Sequence, residues 1–307
     1  MNADIPNIET ESYRDAEMDR SHGPYPLVVF SHGANGIRWQ SVFWTIHLAS
    51  HGYIVVSCDH WGNTLWDIIV NGYQADSIAT SFLKRPDDVI FLIDTMLGYN
   101  ADVESFYHGM IDEALIGVTG HSLGGMTSVA VPCMDSRVSA GVLHAPVIGI
   151  AMMVSGCDSD NYPVPTITMG GTMDNTLPWC GQWCDYKNKI LGDQRKYIYE
   201  LVGGGHFTFS DICRLDLISV SQELGMGDDA TNALSDGCGE DNVPYLKAQQ
   251  SIDYYGTAFF NYLLRGSIES LDYMVDKDED PFDVVNFYEG DVSDWSEEGG
   301  CDACEGI

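Results

Sequence analysis

The chain has 307 residues, 45% hydrophobic and 11% aromatic, enough apolar side chain for a packed core, so a disordered chain is excluded. Acidic residues number 46 against 14 basic ones, for a formal net charge of −32 and a pI near 4.2, and a surface of that sign repels nucleic acid and anionic membranes. The most apolar stretch, 141–154, is interrupted by His144 and Pro146 and falls short of the ~18 residues that span a bilayer.

The start, "MNADIPNIETESYRD", has neither the basic opening nor the apolar run of a signal peptide. "PYPLVVFSHG" (24–33) then reads as a strand buried on both faces and closed by glycine. "WQSVFWTIHLASHG" (39–52) follows as a helix with Val42, Ile46 and Ala49 on one face and Gly52 as its stop. With the strand at 53–59 it forms a βαβ unit, which requires a parallel pairing and a right-handed crossover. The alternation continues with a helix at 87–98, a strand at 115–120, a helix at 123–133, strands at 138–145, 165–171 and 196–204, and a helix at 251–266. In the last helix Ile252, Tyr255, Phe259 and Leu263 recur at helical spacing. The fold class is therefore α/β, with a doubly wound, mostly parallel sheet.

These elements assign 24–266 to a catalytic domain, 1–23 to an N-terminal extension and 267–307 to an acidic, poorly periodic tail draped on the surface through Phe282, Phe287 and Trp295. In that tail Asp276, Asp278 and Asp280 fail as a calcium loop, because Pro281 and Phe287 stand where the motif needs Gly and Glu. Residues 147–164 are too few for a large lid domain. No metal site is expected: His47 and His51 have helical zinc spacing, but residue 48 is Leu where the protease motif needs Glu.

The chemistry centres on Gly120-His121-Ser122-Leu123-Gly124, a G-x-S-x-G turn that follows an apolar strand and opens a helix. A serine hydroxyl is a weak nucleophile until a base takes its proton, and the sharp turn holds its oxygen clear of neighbouring backbone. An acid and then a base should follow in the chain. Asp174 stands just past the strand at 165–171, with Asp185 as its nearest rival, and His206, after three glycines, is the only histidine downstream of it. The oxyanion donors are expected to be the backbone N–H groups of Leu123 and of Ala34 in "SHGANG". Substrate is expected to meet His32 and Asn35 of that loop, His121 beside the serine, Phe207 beside the base, and Trp61 and Trp179 at loop ends. For His32 the alternative is that it braces its loop by hydrogen bonding, and for the tryptophans that they are packing anchors.

Together, "PLVVFSHGANGIRWQSVFWTIHLASHGYIVVSCDHWGNT", "GHSLGG", "TMGGTMDNTLPW" and "GGGHFTFSDIC" resemble the α/β-hydrolase superfamily, in particular dienelactone-hydrolase-like and platelet-activating-factor-acetylhydrolase-like esterases. The resemblance implies serine ester hydrolysis through an acyl-enzyme, with no metal or organic cofactor. In the family pattern the nucleophile matches Ser122, the base His206 and the oxyanion residues Ala34 and Leu123. The acid at Asp174 resembles the placement in bacterial cutinases and polyester hydrolases. Those enzymes usually carry a tryptophan where this chain has Val147 and an aromatic where it has Ala34. Dienelactone hydrolases proper use a cysteine nucleophile, and Ser122 argues against that reaction. A polyester or lipid-ester hydrolase is the alternative enzyme, and a non-catalytic binding protein on the same fold is the alternative of another class.

Nine cysteines favour disulfides and an exported protein, and a monomer is expected. Cys213 and Cys238 are predicted to be bridged, stapling the insertion after His206 over the edge of the site. Cys180 and Cys184, and Cys301 and Cys304, form close pairs, whereas Cys58 and Cys133 read as ordinary buried thiols.

Overall fold

Alternate residues of the first strand enter different cores. In β1 (Tyr25–Ser31), Val28 and Phe30 face one side of the sheet while Leu27 and Val29 face the other. The computed structural model describes residues 12–71, 75–190, 196–215, 235–276 and 281–290, with the single positions 10 and 219.

The sheet has seven strands. To β1 it adds β2 (Ile54–Ser57), β3 (Ile111–His121), β4 (Val138–His144), β5 (Thr166–Gly171), β6 (Lys196–Leu201) and β7 (Val285–Gly290), in the spatial order β2-β1-β3-β4-β5-β6-β7. The first six strands pair in parallel and β7 is antiparallel to β6. On one face pack α1 (Val42–Ser50) and α7 (Tyr245–Arg265), burying Trp44, Leu48, Ile252 and Phe259. Against the other lie α3 (Ala75–Ala101), α4 (Leu123–Met134), α5 (Ile148–Ser155) and α6 (Trp179–Lys189). Among the described residues, α2 (Leu65–Asn71) follows the β2 loop and α8 (Ile268–Val275) packs on α7. None of the described helices is long and apolar enough to cross a membrane.

The doubly wound, mostly parallel architecture is as expected. Several details differ: α2, α5 and α6 were not expected, and the helix at 251–266 begins earlier, at Tyr245. The helix at 87–98 is part of the longer α3, which runs through Pro86. The strand at 115–120 extends back to Ile111, because Tyr25 and Pro26 pair with Ile111 and Asp112 across a register shift. The segment beyond Gly266 is not simply a draped tail: Met274 of α8 and Phe287 of β7 are buried, and β7 pairs with β6 along its length. The acidic residues obscured a period-2 strand whose alternation is carried mainly by one buried side chain, Phe287. Trp295, Asp278, Asp280, Cys301 and Cys304 lie outside the described residues.

Cys213 and Cys238 are bridged, as the sequence led us to expect. Cys133 is not a free buried thiol but pairs with Cys157, which brings the end of α4 against the turn after α5. Cys180 and Cys184 are also disulfide-bonded, and Cys58 is free.

Candidate active site

The C-terminal ends of the parallel strands converge on Ser122, in keeping with the place where open α/β sheets build their sites. Ser122 joins β3 to α4 with φ 57° and ψ −116°, a left-handed backbone that costs about 1–3 kcal/mol in a non-glycine residue. Two glycines permit the turn. A Cβ on Gly124 would fall 1.9 Å from the Ser31 carbonyl oxygen, and one on Gly120 would fall 2.4 Å from that of Gly124. The Ser122 N–H donates to the His144 carbonyl at 2.8 Å, which anchors the elbow to β4. Leu123 is buried as the first residue of α4, whose opening N–H groups have no acceptor within the helix.

Asp174 and His206 meet from the loops after β5 and β6. His206 is buried in a short 3-10 turn, and its Nδ1–H donates to Asp174 Oδ2 at 2.9 Å. The other Asp174 oxygen accepts the N–H groups of Thr176 at 3.0 Å and Leu177 at 2.6 Å, and Gln182 Nε2 donates to Oδ2 at 3.2 Å. A carboxylate so surrounded is an acceptor only, so it orients the imidazole with its Nδ1–H toward Asp174 and Nε2 on the opposite side of the ring. Phe207 stands edge-on to the imidazole, 5.3 Å between centroids. His121, adjacent to Ser122, brings its ring centroid to 4.6 Å from that of His206.

The loop after β1 carries the remaining predicted residues. Ala34 is exposed at its tip, and Asn35 has φ 55° and accepts a hydrogen bond from Asn63 Nδ2 at 3.2 Å. His32 has the hydrogen bonds of a loop brace. It is fully buried, with Nδ1 bonded to the Gly33 carbonyl at 2.7 Å and Nε2 accepting the His60 N–H at 3.1 Å. His121 is likewise spent within the protein. Its Nε2–H donates to the His206 carbonyl at 2.9 Å and its Nδ1 accepts from Gln40 Nε2 at 2.6 Å. Burial pushes both imidazoles well below the usual histidine range, helped at His32 by the Arg85 and His60 charges and at His121 by that of His206. Trp179 is also a packing anchor: it is buried over Gly170 of β5, where an added Cβ would meet its ring at 2.1 Å, and its indole N–H donates to Glu200. Trp61, by contrast, is 96% exposed.

Three residues join these parts without having been singled out by sequence. Gln40 accepts the Gly33 N–H at 2.9 Å while donating to His121, so it ties the Ala34 loop to the residue before Ser122. Asp236 accepts the backbone N–H of His206 at 3.2 Å and of Thr176 at 2.8 Å, spanning the Asp174 and His206 loops two residues from bridged Cys238. Arg85, on α3, is fully buried beneath the Ala34 loop. A lone Gln inside a helical pattern and an Asp in a Gly/Asp-rich loop carry no motif, and their partners are distant in sequence.

Strand order, nucleophile elbow and the positions of the three polar residues after β3, β5 and β6 define an α/β-hydrolase fold. Comparison with known proteins narrows the class. The family model described as platelet-activating factor acetylhydrolase, isoform II, matches residues 1–70. A probable 1-alkyl-2-acetylglycerophosphocholine esterase of Arthroderma benhamiae is 27% identical over 274 residues, covering 86% of this chain and 65% of that protein. The platelet-activating factor acetylhydrolase of Cavia porcellus is 26% identical over 40% of this chain and 35% of its own length. Cutinase est1 of Thermobifida alba is 26% identical over 61% of this chain and 55% of its own. The chain thus resembles α/β-hydrolase-type serine esterases of the acetylhydrolase and cutinase kinds, and it spans less than two thirds of the length of these relatives.

Proposed function

We propose that the protein is a carboxylic ester hydrolase that works through an acyl-enzyme on Ser122. The observation that carries this reading is the buried Asp174–His206 hydrogen bond, with His121, which directly precedes the serine of a strained elbow, packed against the His206 ring and bonded to the His206 carbonyl. Ser122 Oγ attacks the ester carbonyl carbon as His206 Nε2 takes its proton. The tetrahedral oxyanion accepts the N–H groups of Ala34 and Leu123. On collapse the C–O bond to the alcohol breaks, and His206 returns the proton to the departing oxygen. Water then attacks the acyl-serine with His206 again as base, releasing the acid and restoring Ser122. Asp174 holds the tautomer throughout and stabilises the imidazolium. The likeness to an acetylglycerophosphocholine esterase and a cutinase supports ester substrates, and the disulfides fit an oxidising compartment.

A second reading concerns the physical state of the substrate. Trp61, Trp66, Ile69 and Val70 are exposed on the segment that the Gly36–Thr64 bridge fastens to the Ala34 loop, which favours an ester presented at an apolar surface, as in a polyester or a lipid aggregate. The test is a p-nitrophenyl ester series from acetyl to dodecanoyl, with polyester film and dispersed lipid esters beside it, in the wild type and Ser122→Ala. Turnover lost in Ser122→Ala, with a fluorophosphonate adduct mapped to Ser122, is the expected result. A folded wild type that shows neither turnover nor adduct would point to the non-catalytic alternative.

A further inference from the structure

Arg85 poses an energetic problem that the reaction scheme leaves unsolved. Its guanidinium is completely buried on α3, and the acceptors it reaches are neutral: Ser81 Oγ at 3.2 Å, the Gly33 carbonyl at 3.0 Å, the His32 carbonyl and Asn63 Oδ1. Asp88, one turn along, is bonded instead to His60 Nδ1 at 2.7 Å. Burial pushes the guanidinium down to about 9, with Cys58 and Asp88 opposing the shift. A buried cation held by neutral acceptors alone is costly, and a packed apolar side chain would serve α3 better if stability were its only purpose.

The geometry of the peptide unit supplies a purpose. Gly33 and Ala34 share a trans peptide, in which C=O and N–H point in opposite directions. The Gly33 carbonyl is held from below by Arg85 Nη2, by His32 Nδ1 at 2.7 Å and by the Gly36 N–H at 3.2 Å. Fixing that oxygen toward α3 fixes the Ala34 N–H on the opposite side, away from Arg85. The preceding peptide is fixed in the same way: Arg85 Nη1 holds the His32 carbonyl, and the Gly33 N–H is taken by Gln40 Oε1 at 2.9 Å. Both peptide planes of the loop are therefore set before substrate arrives.

We infer that Arg85 is a positioning residue for the oxyanion hole, locking the Gly33–Ala34 peptide so that the Ala34 N–H faces the reacting carbonyl oxygen. The inference rests on the ester-hydrolase reading and goes beyond it, because Arg85 touches no reacting atom. Its positive charge beneath the loop also favours the developing oxyanion. Flipping this one peptide would present a carbonyl oxygen to the oxyanion in place of a donor.

The experiment compares wild type with Arg85→Met, which fills the volume without donors, and Arg85→Lys, which keeps a buried cation without the forked reach. Because the oxyanion forms after substrate has bound, kcat should fall by ~10²–10³-fold in Arg85→Met with KM nearly unchanged. Affinity for a trifluoromethyl ketone, whose adduct with Ser122 carries an oxyanion, should fall in parallel. Arg85→Lys should lie between the two, and thermal melts establish that each variant is folded. A folded variant that keeps kcat within about threefold of wild type, a loss confined to KM, or failure of both variants to fold would overturn the inference. Ser122→Ala separates the two claims: if it stays active the esterase reading itself falls, whereas an inactive Ser122→Ala beside a fully active Arg85→Met removes only the role of Arg85.

Discussion

Asp236 grips His206 through the backbone, accepting its N–H at 3.2 Å, while the Asp236 carbonyl accepts the next N–H, that of Phe207, at 2.8 Å. The same carboxylate takes the N–H groups of Asn175 and Thr176 and the Thr176 hydroxyl at 2.7 Å, so one side chain sets the spacing of the acid and base loops. Every one of these partners is a donor. Asp236→Asn turns an NH2 group toward at least one of them, and we expect kcat to fall on the order of 10²-fold through misplacement of His206, with a stability loss of about 1–3 kcal/mol. Steady-state kinetics with a urea melt reads both, and unchanged values would remove Asp236 from the machinery.

Asp174→Asn should act differently. The amide cannot hold the Nδ1–H tautomer, so kcat should drop by roughly 10³–10⁴, and because Asp174 too accepts only from donors, a thermal melt beside the kinetics establishes that the variant is folded. Activity within tenfold of wild type would shift the acid to another carboxylate, with Asp185, which accepts the Gly149 N–H at 3.1 Å, already occupied elsewhere.

Gly124→Ala tests the elbow. The new Cβ would lie 1.9 Å from the Ser31 carbonyl oxygen and 2.7 Å from that of His32, both main-chain atoms that no rotamer change relieves. The expected outcome is poor soluble yield, and in whatever folds, loss of fluorophosphonate labelling at Ser122. A fully labelled, stable variant would mean that β1 can retreat.

Asp253 provides a pH-dependent test of stability. Burial, and then the nearby charge of Asp211, raises its carboxyl to about 9, and its Oδ1 is buried without a hydrogen-bond partner. His47 Nδ1 lies 3.6 Å away, yet burial and the His51 charge hold that imidazole down to about 4, so it offers no cation at neutral pH. The folded state therefore retains a proton on Asp253 that the unfolded chain, with a carboxyl near ~4, has released. Stability from this group is present below the unfolded value and is lost steadily as pH rises toward 9. Asp253→Asn should match wild type at pH ~4 and become progressively more stable than it at higher pH. Parallel melting curves across the range would refute the assignment.

Deletion after Gly266 removes α8 and β7, and with them the buried side chains of Met274 and Phe287 and the antiparallel pairing to β6. Losing two buried apolar side chains alone costs on the order of 5 kcal/mol, so the truncated chain should melt far below the full one. A coincident melt would mean that β7 is a passenger on the sheet edge.

Much of the fold was legible because its strands are short apolar runs closed by Gly or Asp, and its helices carry a 3.6-residue period, as in the segment from Ile252 to Leu263. Such signals are local, and local sequence contains them. The strand at Val285–Gly290 was missed because an edge strand half open to solvent tolerates acidic neighbours, and only pairing with Lys196–Leu201 gives it meaning.

The candidate site divides along the same line. Ser122, Asp174 and His206 could be named from the order of residues, since the elbow, the strand-end aspartate and the histidine after glycines each sit in a recognisable local context. The geometry of Ser122 was legible too, because only small residues at 120 and 124 allow that turn. What the order of residues left open was which groups face substrate and which face one another. The sequence left open whether His32 braces its loop or meets substrate and whether Trp179 is a packing anchor; in the fold His32 and His121 are buried and bonded to neighbouring groups and Trp179 packs over β5, while Gln40, Arg85 and Asp236 came to light only where strands, helices and loops from distant parts of the chain meet. A side chain's chemistry belongs to its residue, but its partner belongs to the fold, because burial and hydrogen bonding are decided by what the rest of the chain brings within 3 Å.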